Sequence, residues 1–170
     1  VGDSFPLGNS QITVLGPTTR YADSNNNSIV LKISCGNNSF LFLGDAEFES
    51  EYDMLSDSMD LTCDVICPAH HGSSSSTSWN LLEASSPEFA VISCGTDNKY
   101  SHPHQETMSK LNDLGIEVFR TDTQGTIIVS SDGSSINWSV SPCNDYSPGN
   151  TFEDEVSPTP NTKEPTLSKN

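Results

Sequence analysis

Positive charge is what this 170-residue sequence has least of: seven Lys and Arg stand against 23 Asp and Glu, a formal charge of −16. A broad basic footprint for nucleic acid is excluded, because phosphate contacts need clustered cations. Long apolar runs are missing as well, and no stretch approaches the ~20 residues of a membrane span. The chain opens Val-Gly-Asp-Ser with neither an initiator Met nor the apolar core of a signal peptide, so a piece of something longer is expected. At 18.3 kDa there is room for one ordinary domain and not for two. Among the five cysteines no C-x-x-C occurs, since Cys63 and Cys67 bracket three residues. Their odd count leaves at least one thiol unpaired in a monomer, and buried free thiols are the expectation.

What is present changes character near Pro142. Residues 143–170 hold four of the ten prolines and few large apolar side chains, which reads as a disordered acidic, Pro/Ser/Thr-rich tail or linker. With its five acids and two lysines set aside, residues 1–142 keep 18 acids against five bases, so the acidity belongs to the folded part. Within that part short strand patterns alternate with helical ones. Strands are expected at 12–15, 28–34, 39–43, 63–67, 89–94, 116–120, 125–130 and 135–140, with a hairpin at Gly36-Asn37-Asn38. An amphipathic helix is expected over 45–58 from Phe48, Tyr52 and Leu55. A short helix should follow a Thr77 or Ser78 cap, and another should run from Pro103 to Leu114. This order argues for an α/β fold.

Three polar clusters stand at the C-terminal ends of predicted strands, where open α/β sheets place their sites. Gly44-Asp45-Ala46-Glu47 offers a carboxylate that bridges cations or orients water, or else caps the next helix. Pro68-Ala69-His70-His71-Gly72-Ser73 sets two imidazoles side by side, and imidazole is the commonest nitrogen ligand for metals. Asn98-Lys99-Tyr100-Ser101-His102-Pro103-His104 places two more at a helix start, which favours an anion. All four histidines fall in two of these clusters. A divalent ion held there would lower the pKa of water to about 7. Asp45 and one imidazole are too few for a catalytic zinc, which usually keeps three protein ligands.

Five ordered motifs carry a resemblance. They are Asn26-Asn27-Ser28-Ile29-Val30-Leu31; Phe40-Leu41-Phe42-Leu43-Gly44-Asp45-Ala46; and Asp64-Val65-Ile66 with His70-His71-Gly72-Ser73. Ile92-Ser93-Cys94-Gly95 follows with Asn98-Lys99-Tyr100 and His102-Pro103-His104, and Arg120-Thr121-Asp122 comes last with Gly125. Together, from about Ser10 to Val140, they resemble the C-terminal half of a metallo-β-lactamase-fold hydrolase of the ComEC-type competence and phosphorylcholine-esterase-like branch. The resemblance implies half of an αβ/βα sandwich, a mixed sheet flanked by helices, holding one or two divalent ions, Zn or Mn. It implies Asp45 as a bridging metal ligand and His71 as a later one, with His70 the alternative. The other of that pair, with His102 or His104, would face the substrate or act as acid or base. Tyr100 and Asn98 would shape that loop, and Arg120-Thr121-Asp122 would form a turn.

The resemblance departs at one point: no H-x-H-x-D-H precedes His70. The implied activity, metal-dependent hydrolysis of a phosphodiester or related ester, therefore needs an N-terminal half from the same longer chain or a partner. A non-catalytic binding or structural remnant is the alternative. The substrate is expected to be a small phosphoester or nucleic acid, and the setting extracellular or at a bacterial cell surface. Alone, the half-domain should be inactive and marginally folded, with one sheet face exposed.

Overall fold

The computed structural model describes residues 1–149. Seven strands form one mixed sheet in sequence order. Its first four, β1 (Ser4–Leu7), β2 (Ser10–Gly16), β3 (Val30–Cys35) and β4 (Asn38–Phe42), pair antiparallel. From β4 the ladder continues parallel through β5 (Val65–Cys67), β6 (Phe89–Ile92) and β7 (Glu117–Arg120). Each parallel step is bridged by a helix: α1 (Phe48–Ser56), α2 (Trp79–Ser85) and α3 (Gln105–Asp113). A single turn, α4 (Thr121–Gln124), then leads to a separate hairpin of β8 (Val129–Ser131) and β9 (Ile136–Trp138). The α/β class and the mixed sheet flanked by helices are as the sequence implies. The three crossover helices pack against one face of the sheet.

That face is dry. Val30, Leu41, Ile66, Ala90 and Val118 alternate toward it and pack with Met54, Leu81, Leu82, Met108 and Leu111 of the helices. The opposite face is covered only in part. Over β6 and β7, Trp138 of the hairpin stacks on Phe119 with ring centroids 4.0 Å apart and tilts against Phe89. The hairpin tip reaches the β3–β4 turn, where Asn37 N–H donates to Gly133 O at 2.7 Å. Phe40 on this face is buried, and toward β1 and β2 the face lies open. The register aligns Phe5, Ile12 and Ile33, and likewise Val14, Leu31 and Phe42. Phe5 is 53% exposed and Phe42 42%, while Ile12, Val14, Leu31 and Ile33 are half-buried.

Several local readings change. β1 has no counterpart in the expected strands; its four residues are all exposed at the sheet edge, so burial leaves no pattern to read. The buried stripe of α1 is Ser50, Glu51 and Met54, and Tyr52 faces out. Pro103 lies before α3 instead of in its first turn, buried against Gly72, and His104 is the N-cap residue. Residues 143–149, assigned to the tail on composition, lie against the domain. Cys143 N–H donates to Val118 O at 2.9 Å, Tyr146 Oη to Ile116 O at 2.8 Å and Gly149 N–H to Pro103 O at 2.8 Å. Backbone hydrogen bonds and one aromatic hold this segment, which apolar content alone does not reveal. The rest of the expected tail, 150–170, lies outside the described residues.

Candidate functional site

The chain leaves β4 through Gly44, whose φ of +57° suits glycine, and a Cβ there would stand 3.0 Å from Ser28 Cβ. Ser28 Oγ accepts from Asp45 N–H at 3.1 Å and so sets where the carboxylate leaves the backbone. Asp45 does not cap α1. That role falls to buried Asn26, whose Oδ1 accepts from Glu47 N–H at 2.9 Å and Ser50 N–H at 3.2 Å. The Asp45 carboxylate instead faces His71, with Oδ1 3.8 Å from Nε2.

After β5 the two adjacent histidines both take left-handed backbone, His70 at φ 50° and His71 at φ 58°. Each such residue costs about 1–2 kcal/mol, and it persists because the surroundings hold it. His70 N–H donates to Gly44 O at 2.9 Å, tying the pair to the Asp45 turn. Each ring is gripped at Nδ1 by a different group. His71 Nδ1 lies 2.6 Å from Ser93 O at the end of β6. A carbonyl only accepts, so Nδ1 carries the hydrogen, and it is the neutral tautomer with its lone pair on Nε2, the nitrogen nearest Asp45, that this contact selects. His70 Nδ1 lies 3.1 Å from Glu47 Oε1, which also accepts from Ser75 Oγ at 2.8 Å.

The third cluster closes the site. His102 is buried, its ring stacked between those of Tyr100 and His71 at centroid distances of 5.6 and 6.0 Å. Burial first, and then the neighbouring His104, His70 and His71, push its pKa down to about 4, so the ring is neutral near pH 7. His104 has both nitrogens occupied. Nδ1 accepts from Ser74 N–H at 2.9 Å, which leaves Nε2 to donate to Tyr100 O at the same distance. It fastens the serine-rich segment to the Tyr100 loop. Beside His71 and His102 opens a cavity of about 300 Å³, lined also by Ser93, Cys94, Asn98 and Tyr100. Burial raises the Cys94 thiol to about 12, so it stays protonated.

Asp45, His70, His71, His102 and His104 are therefore brought together by three separate segments. Asp45 and His71 face each other with lone pairs that suit one divalent ion, and they are two donors of the three or more such a centre needs. Among the described residues, no three His, Cys, Asp or Glu side chains converge to hold a metal. Asn26, Glu47, Ser93 and Thr121, the groups that orient this cluster, stand inside the clusters and motifs read from the sequence, where Thr121 is expected only to form a turn and the other three have no individual role. Glu47 is signalled as a carboxylate two residues past Asp45, and the others by their places in the ordered motifs. The Arg120-Thr121-Asp122 turn is built from contacts within the domain. Buried Arg120 donates through Nε and Nη2 to the Asp122 carboxylate and through Nη1 to Ser147 O.

No protein-family model matches the chain. Comparison with known proteins finds ComE operon protein 3 of Bacillus subtilis (strain 168), 37% identical over 127 residues, which cover 74% of this chain and 16% of that protein. Competence protein ComA of Neisseria gonorrhoeae is 35% identical over 106 residues, 62% of this chain and 15% of that one. Recombination protein 2 of Haemophilus influenzae is also 35% identical over 106 residues, 62% of this chain and 13% of its own length. In sequence this chain is thus similar to bacterial competence proteins of the ComEC type, spanning about a sixth or less of their length.

Proposed function

We propose that the chain is the C-terminal part of a metallo-β-lactamase-fold hydrolase that cleaves phosphodiesters or related esters. The observation that carries the reading is the pairing of Asp45 Oδ1 with His71 Nε2 at 3.8 Å, with His71 turned by Ser93 O so that its lone pair faces the acid. These two residues would hold a divalent ion, zinc or manganese, and the remaining ligands come from an N-terminal half in the same longer protein or a partner. Such an ion supplies Lewis acidity and brings the pKa of water to about 7. The open face of β1 to β4 is the surface on which that half would lay its own sheet, and the small share of each relative that the chain spans fits this division. The setting that goes with this reading is extracellular or at a bacterial cell surface.

The other side chains divide the remaining work. Glu47 holds the hydrogen of His70 on Nδ1, so Nε2 is the nitrogen His70 offers to substrate. His102, kept neutral, forms the floor between Tyr100 and His71. His104, with both nitrogens engaged, positions the loops. Charge favours a compact phosphoester. Of the five bases in residues 1–149, Lys32, Lys110 and Arg120 are buried, and only Arg20 and Lys99 lie at the surface. A nucleic-acid groove would have to draw its cations from the N-terminal half.

The test is metal content and phosphodiesterase turnover of the full-length protein. Asp45→Ala and His71→Ala should each remove bound metal and lower turnover at least ~100-fold. Unchanged metal and turnover in both variants, or an upstream sequence without H-x-H-x-D-H, would leave a non-catalytic scaffold in place of the enzyme.

A further inference from the structure

The Ser93–Cys94 peptide unit is held at both ends. Its carbonyl, Ser93 O, receives His71 Nδ1–H at 2.6 Å. Its amide, Cys94 N–H, donates to Thr121 Oγ1 at 2.9 Å, and the same hydroxyl donates back to Cys94 O at 2.7 Å. The β6–β7 ladder ends at the pair Ile92 and Arg120, so one residue further the Thr121 side chain takes over the pairing that the backbone no longer makes. An amide whose N–H is engaged is polarised, and its carbonyl becomes a stronger acceptor. Without the hydroxyl the N–H loses its partner, and the peptide plane is released to rotate away from His71.

We infer that Thr121 is a positioning residue for the candidate metal site: through the Ser93–Cys94 peptide it fixes the tautomer of His71 and so directs the Nε2 lone pair at Asp45. The inference deepens the proposed hydrolase reading, for which the direction of that lone pair matters, but its first measurement is independent of metal. Thr121 does not line the cavity, and its hydroxyl bonds to the backbone of Cys94 and Ile92. Its turn is clasped by Arg120, which ties Asp122 to Ser147 O in the segment that passes over His102 and Pro103.

Ring nitrogen shifts of His71 in the 15N-labelled 170-residue chain, read about two pH units above the ordinary imidazole value, report the tautomer directly. The unaltered chain should show Nδ1 protonated. Thr121→Val should lower the ratio of Nδ1–H to Nε2–H forms by about tenfold, the scale of one hydrogen bond, and Thr121→Ser should restore it. Thr121→Ala is measured in parallel, so a folding defect peculiar to valine does not decide the result. An unchanged ratio in both Val and Ala variants, or a serine variant that behaves like valine, overturns the role of Thr121. Metal content of the full-length protein reads the ligand assignment separately: unchanged bound metal in Asp45→Ala and His71→Ala would overturn that assignment and leave the tautomer result standing.

Discussion

The two faces of the sheet are built from similar residues and end in different states. On the helix face, strand positions such as Val30, Leu41, Ile66 and Ala90 have almost no solvent contact. On the other, Ile12, Val14, Leu31 and Ile33 stay half-buried, and Phe5, Leu7 and Phe42 are exposed. The difference is one of cover. Three crossover helices close the first face, whereas a single hairpin closes one end of the second. The domain thus completes one core by itself and presents the rest of the sheet as apolar surface of the kind that marks an interface.

Leu41 and Leu31 test this contrast most sharply, since they sit on adjacent strands with opposite aspects. Leu41→Ala should cost about 3–4 kcal/mol, a buried deletion with little room to relax, and Leu31→Ala about 1 kcal/mol. Urea unfolding midpoints read both. Equal costs would mean that the open face is covered in solution. Trp138→Ala comes next: it strips the cover from Phe119 and Phe89, and a loss of about 2 kcal/mol with stronger binding of an apolar dye is expected. Replacing Ile33 and Phe42 together by Thr should change stability by less than about 1 kcal/mol and shift the sedimentation profile toward monomer. A double variant that associates as readily as the parent breaks the reading of this face as adhesive.

How far the fold is legible depends on what repeats. β3, β4, β6 and the capped α2 announce themselves through apolar alternation, the Gly36-Asn37 turn and Ser78, whose Oγ accepts from Leu81 N–H. The four histidines and Asp45 are legible because strand ends collect them in two-residue clusters. Glu51 is not. It occupies the helix face of α1, where an apolar residue is expected, because its carboxylate accepts from Thr77 and Ser78 N–H and caps the serine-rich segment from below. That pairing spans about 26 residues of sequence, and nothing local encodes it. Thr121 is legible as part of a turn, but its bonds to Cys94 span about 27 residues and are hidden for the same reason. Segment 143–149 escapes a compositional reading because backbone groups and Arg120, and little apolar area, hold it down.

The smallest predicted effect concerns the edge of the covered face. Lys32 alternates toward the helices, and its stem is buried while Nζ reaches Asp60 Oδ2 at 2.8 Å and Thr62 Oγ1 at 3.2 Å. Hydrogen bonds from Lys32 and Thr62 hold the Asp60 carboxyl below its ordinary value. A carboxyl whose pKa is lowered on folding contributes stability that is present above its unfolded value and lost as pH falls through the folded one. The Asp60 side chain is 73% exposed, so the pair is worth about 0.5 kcal/mol or less. Asp60→Asn should lower the urea midpoint slightly at neutral pH and not at all once the carboxyl is protonated in both states. The difference should also shrink in molar salt, where the Debye length is about 3 Å. A loss that persists at acid pH and high salt would show that the amide at position 60 disturbs the Thr62 turn instead. The covered face would then depend on that turn, and the charge pair would contribute nothing measurable to its closure.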